Sequence, residues 1–226
     1  MKHGVEHALP DDAQAAVAAV RRLDALGMNR GSSGNLSLRR MRDGQEGMLI
    51  TPTGMGADDL RPEDMVWRGW DGTLVGAWQP SSEWHFHEAI YHARPELNAV
   101  VHTHSVHAAA LACLRRELPA FHYMVAVAGG HDVPCVPYHV FGSVALSMAV
   151  ASAFADRDAC LMANHGLVAA GASLARAMTV AQEIESLCEV YLKALAVGEP
   201  ALLTRAQMGE VIEKFRGYGQ AAAREG

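Results

Sequence analysis

Apolar residues along the chain recur at two spacings. Over residues 11–26 they follow a helical period, with Ala16, Val20 and Leu23 on one face. Asp11 and Asp12 after Pro10 give that helix an acidic start, and Gly27 gives it a stop. A Gly/Ser turn at 31–34 leads into a short strand, 35–39. Residues 48–51 read as a second strand, and Asp71-Gly72 as the tip of a hairpin. A helix is predicted over 82–95, a β-branched strand over 98–102 and a helix over 105–114. Further on come a strand near 133–136, a helix over 143–155 and a strand over 159–163. Residues 174–197 form a long amphipathic pattern, with Met178, Ala181, Ile184, Leu187 and Tyr191 along one side. A last helix over 205–216 precedes a polar tail, expected to be mobile.

No repeat or composition shift marks a boundary, so 1–226 is expected to form a single domain. Strands and helices alternate, yet the short sequential strands and hairpins favour antiparallel neighbours. The predicted fold class is α/β, a central mixed or antiparallel sheet flanked by helices.

Composition narrows the function. Hydrophobic residues make up 50% and charged residues 19%, an ordinary balance for a buried core. A formal charge of -6 argues against a nucleic-acid partner, which needs dense Lys and Arg. No run of eighteen apolar residues is free of charge, so no membrane span is expected. The first twelve residues carry early acids and no apolar stretch, which predicts a cytoplasmic chain without a secretion signal. Cys113, Cys135, Cys160 and Cys188 are scattered, with no CxxC pair, and read as reduced thiols. Twelve histidines is the unusual count, and it directs attention to metal ligands.

His102-Thr103-His104 ends the predicted 98–102 strand, where a two-residue repeat sends both imidazoles to the same face. Two preset nitrogen donors suit zinc, although an HxH alone is more often a pair of surface histidines. His165, in Asn164-His165-Gly166 after an apolar strand, is a third candidate, and Glu83 in Ser81-Ser82-Glu83 a fourth, as ligand or base. The order fits neither the long barrel amidohydrolases nor cupin sites, which need an acid soon after HxH; residues 105–112 contain none. Three hydroxyl-rich turns, at 31–35, 51–54 and 81–82, have the composition of anion nests, although any one of them could be an ordinary β-turn or cap. No Lys follows the glycines, so a Walker A nucleotide site is excluded.

The ordered segments GSSGNLS, ITPTGM, PSSEWHFH, AVVHTHSVH and NHG resemble the class II aldolase/adducin family. The segments around Pro119–Met124, Ala128–Gly130 and Phe141-Gly142, with the ending Glu213–Gly219, sharpen the match towards its sugar-phosphate aldolases. The resemblance implies a three-layer fold and a zinc ion (Mn2+ or Co2+ as alternatives) held by His102, His104, His165 and Glu83, the last also serving as acid/base. It implies a phosphate pocket from Asn35, Thr53, Gly54, Ser81 and Ser82, lined by Ser33 and Gly34. It further implies catalytic tyrosines, Tyr123 reaching a neighbouring subunit and Tyr218 on the tail, in a homotetramer with sites between subunits. The implied reaction is cleavage of the C3–C4 bond of a ketose 1-phosphate, such as L-fuculose 1-phosphate or a 5-deoxy or 5-methylthio pentulose 1-phosphate. Lys2, Lys193 and Lys214 lie away from every motif, which agrees with a metal route over a Schiff base. Epimerases, a methylthioribulose-1-phosphate dehydratase and decarboxylases of the family share the ion site. Adducin-like scaffold modules are the non-catalytic alternative, disfavoured here because nothing in a scaffold needs Glu83 and the histidines together. His3, His7 and His139 are left unassigned, and His87, His92 and His107 are expected to pack, cap or lie exposed on helices.

Overall fold

A computed structural model describes residues 9–217 of the chain. Its centre is an eight-stranded sheet in the order β4-β3-β2-β1-β5-β8-β7-β6. The strands are β1 Asn35–Arg42, β2 Gln45–Ile50, β3 Val66–Gly69, β4 Leu74–Val75, β5 Ala99–Thr103, β6 Cys135–Val136, β7 Ala159–Met162 and β8 Gly166–Gly171. Neighbours are antiparallel except β6 and β7, which run parallel, so the sheet is mixed.

Period-two alternation sends residues from each strand into two separate cores. Leu36, Leu38, Ala99, Val101, Leu167 and Ala169 face one side. There they pack under α1 (Leu9–Ala25), α3 (Val106–Cys113), α5 (Leu174–Leu195) and α6 (Arg205–Gly217). Met48, Ile50, Val100, Val168 and Ala170 face the other side, under α2 (Trp84–Ala93) and α4 (Val144–Ala153). The result is the expected three-layer α/β architecture. The stripe predicted on α5 is the buried one: Met178, Ala181, Ile184, Leu187 and Tyr191 all lie in the first core. Among the described residues no helix is long and apolar enough to cross a membrane.

Three local expectations change. The helix predicted from 82 begins at Trp84, because Ser81 and Ser82 are held in a turn whose Ser81 carbonyl accepts from the Trp84 N–H at 3.0 Å. The strand near 133–136 shrinks to Cys135–Val136, with Val133 bridged instead to Leu118. Strand β8 lies outside every predicted element. Its sequence, Gly-Leu-Val-Ala-Ala-Gly, is buried throughout and carries one β-branched residue between glycines, which leaves little local strand signal. The expected mobile tail and Tyr218 lie outside the described residues.

Candidate metal centre and active site

The site forms where the start of β1 lies beside the end of β5, with Asn35 directly opposite His102. His102 shares its face with Val100, towards α2, and is fully buried. Its Nδ1 lies 2.9 Å from the Leu167 carbonyl of β8, an acceptor only, so Nδ1 carries a proton and Nε2 is turned to the cluster. His104 follows one residue beyond β5, and its backbone N–H donates to Asn29 Oδ1 at 3.1 Å. Asn29 is itself buried against Gly34 (φ +76), where an added Cβ would sit 2.4 Å from the Asn29 amide. One side chain thus couples the first hydroxyl-rich turn to the histidine strand.

His165 comes from the tight turn between β7 and β8, where Asn164 adopts φ +56 and accepts a hydrogen bond from Arg115 Nε at 3.0 Å. Gly166 lets that turn touch β5: a Cβ there would lie 2.3 Å from the Thr103 carbonyl oxygen and 3.2 Å from the His104 ring. Glu83 arrives from the opposite layer, as the residue that caps α2.

These four side chains converge. His102 Nε2 lies 3.0 Å from His104 Nε2 and 3.2 Å from Glu83 Oε2, and His165 Nε2 lies 3.3 Å from Glu83 Oε1. One donor atom from each residue falls within 4.8 Å of all the others. Donors around a tetrahedral zinc with bonds of 2.0–2.1 Å stand roughly 3.3 Å apart, so the set fits a metal ion. Glu83 Oε1 gives a second sign of fit, for it is buried with no hydrogen-bond partner.

Burial acts to raise the Glu83 carboxyl pKa, but the charge and hydrogen bond of His102, with His165 and Asn35, hold it well below the usual carboxylate range. Burial, followed by the charge of His102, lowers His104 and His165 to about 4. Both rings therefore stay neutral near pH 7 and keep lone pairs to offer. The centre is a carboxylate facing imidazoles, matched to a positive charge between them.

Beside it opens a cavity of about 360 Å³. Ser33, Gly34, Asn35, Thr53, Gly54, Ser81 and Ser82 all line it, together with Glu83, His104 and His165. A bridge between Pro52 and Pro80, with Thr53 N–H donating to the Gln79 carbonyl at 3.0 Å and Ser81 N–H to that of Thr51 at 2.9 Å, sets the second and third turns side by side. Ser33 spends its hydroxyl locally, on the Arg30 carbonyl at 2.8 Å. Tyr123 does not line this cavity. It is half-exposed at the start of a 3-10 turn and faces a separate groove of about 770 Å³ with Arg176, Ile212 and Phe215.

Sequence reasoning missed Asn29 and the wall formed by Tyr138, His139, Phe141 and Asn164. The signal available for that wall was a run of aromatic residues in a loop closed by Gly142.

A carboxylate and three imidazoles converging beside a hydroxyl-lined cavity are the arrangement of a metal-dependent enzyme. The chain belongs to the class II aldolase and adducin family, whose N-terminal domain model matches residues 14–192. It is 46% identical over 206 residues to a 5-methylthioribulose-1-phosphate/5-deoxyribulose-1-phosphate aldolase of Rhodospirillum rubrum, covering 91% of both chains. It is 47% identical over 195 residues to an L-fuculose phosphate aldolase of Haemophilus influenzae, covering 86% of this chain and 88% of that one. A solved L-fuculose 1-phosphate aldolase superimposes with a TM-score of 0.88 at 36% identity, over 94% of this chain and 100% of the other.

Proposed function

We propose that this protein is a metal-dependent aldolase that cleaves the C3–C4 bond of a ketose 1-phosphate to dihydroxyacetone phosphate and an aldehyde. The observation that carries the reading is the convergence of Glu83, His102, His104 and His165 at the edge of the turn-lined cavity. The aldolases named above, alike over most of their length, supply the reaction class. L-fuculose 1-phosphate and the 5-deoxy or 5-methylthio pentulose 1-phosphates share C1 to C3 and the phosphate, and differ at the aldehyde end.

His102, His104, His165 and Glu83 would hold the ion, and an N3O donor set favours zinc over harder cations. When bound, the ion supplies Lewis-acid stabilisation of negative charge developing on substrate oxygens. The chain's own groups do the rest. Thr53, Ser82 and the N-terminus of α2 orient the phosphate, fixing C2 and C3 near Glu83. As the C3–C4 bond breaks, its electron pair stays with C3, the C4 hydroxyl gives up its proton and C4 becomes a carbonyl. Glu83, a carboxylate at rest, takes up a proton equivalent to the one lost from the C4 hydroxyl, delivers it to C3, and takes one back in the condensation direction. Tyr123 is assigned to the C4 oxygen, passing on its proton as the carbonyl forms. Its position outside its own chain's cavity supports action on a second copy, as in a homotetramer with sites between subunits. The cytoplasm is the proposed location.

The test is an aldolase assay over a panel of ketose 1-phosphates, with metal analysis before and after chelation. Dihydroxyacetone phosphate should form from at least one substrate, stop on chelation and return with zinc. Metal-loaded protein that cleaves none of the panel overturns the reading.

A further inference from the structure

From Asn35 at the cavity wall, a row of polar side chains runs back between β1 and α2, and the reaction above does not use it. Asn35 Nδ2 donates to Glu83 Oε2 at 2.9 Å, and Asn35 Oδ1 lies 2.6 Å from His87 Nε2. His87 Nδ1 lies 2.7 Å from Ser37 Oγ, which lies 2.9 Å from the Tyr91 hydroxyl. Tyr91 also donates to the Ser37 carbonyl at 3.0 Å. Ser37, His87 and Tyr91 are fully buried among Phe86, Ile90 and Val100. A row of polar groups placed in an apolar layer is costly unless every member is satisfied, and here each one is.

The proton positions follow from the acceptor at the front. A carboxylate only accepts, so Asn35 turns its NH2 to Glu83 and its Oδ1 to His87. That oxygen also only accepts, so His87 carries its proton on Nε2. Burial, with a smaller contribution from the charge of His102, lowers the ring to about 3, and a neutral ring has a bare Nδ1. Ser37 must then donate to it, and Tyr91, whose phenol burial raises above its ordinary range, keeps its single proton and donates it to the Ser37 carbonyl. From Ser37 forward, every proton points towards the carboxylate. Reversing the His87 tautomer would require the Asn35 amide to flip, setting its oxygen against Glu83. Tautomer and amide orientation are a single choice.

We propose that His87 is a positioning residue for proton transfer: through Asn35 it engages Glu83 Oε2 and leaves Oε1 as the oxygen that exchanges a proton with C3. No hydrogen bond holds Oε1 in the metal-free protein, so it is the oxygen free to meet the ion and to leave it for C3, which is what this division of labour requires. The proposal rests on the aldolase reading for the identity of the step, but its structural half stands without it.

The experiment has two arms. Metal-loaded protein is given dihydroxyacetone phosphate in deuterated water without aldehyde, and exchange at C3 is followed by NMR. His87→Leu should slow exchange by ~10- to 100-fold, with bound metal and the KM for dihydroxyacetone phosphate little changed. His87→Gln, whose amide can donate to Asn35 and accept from Ser37, should recover most of the rate. Should His87→Leu fail to fold, Ser37→Ala carries the test, because it removes only the hydroxyl that sets the tautomer, and exchange should slow several-fold. The second arm records imidazole nitrogen shifts of His87 in the metal-free protein. The Nε2–H form is expected, giving way to a mixture in Ser37→Ala. Wild-type exchange by His87→Leu, or by Ser37→Ala where it stands in, or an Nδ1–H form in the wild type, overturns the proposal. A wild type that exchanges nothing overturns the aldolase reading instead, and leaves the nitrogen shifts to judge the chain of hydrogen bonds.

Discussion

Glu83 combines two demands at the scale of one residue. It faces two imidazoles and must still handle a proton, so replacing its charge should damage chemistry more than metal binding. Glu83→Gln is expected to lower turnover by on the order of 10²–10⁴-fold while metal per chain falls less. Turnover at the normal rate in that variant would remove Glu83 from its role. Glu83 and the histidines were legible in the sequence because two-residue spacing and a glycine turn are local signals. Asn29 and His87 were not, since each matters through a partner far along the chain: His104 for Asn29, Asn35 and Ser37 for His87. His87 was expected only to pack, cap or lie exposed. It is packed, and it also hydrogen-bonds to a residue that holds Glu83.

Between elements, the decisive contact is the turn from β7 to β8 against the end of β5. A central sheet flanked by helices was readable from short apolar runs bounded by turns and from the stripe on α5, while the three layers came from the family resemblance. Strand β8 escaped notice: like β5 and β7 it is buried throughout, but its glycine-bounded run has a single β-branched residue, and its place between them is set by tertiary pairing. That pairing is what carries His165 to His102. Gly166→Ala should push the turn off the Thr103 carbonyl, lowering the thermal midpoint and the zinc affinity together. Calorimetric zinc titration of the metal-free variant checks this, and unchanged affinity would show the close approach to be dispensable.

Two outcomes belong to the whole molecule. His87, at about 3, and His104 and His165, at about 4, all titrate below the imidazole's 6.5. Between those limits the unfolded chain binds protons that the native chain refuses, so the metal-free protein loses stability as pH falls from about 6.5 towards 4. Urea midpoints measured from pH 7.5 to 4.5 should decline across that window; a flat profile contradicts the buried neutral rings. The second outcome concerns assembly. If Tyr123 serves a neighbour's site, mixing unfolded Tyr123→Phe and Glu83→Gln chains and refolding them together should restore part of the activity that each lacks. No recovery in verified mixed oligomers would return Tyr123 to its own chain.

Asn29 has a consequence of another kind. Clamped between Gly34 and the His104 backbone, it makes the span from the first hydroxyl-rich turn to the imidazole strand a fixed gauge. A ketose whose phosphate sits one carbon farther from its carbonyl can engage one end of that gauge but not both, and should show a raised KM with little cleavage. Length discrimination in this enzyme would then come from the scaffold, before any group at the aldehyde end is felt.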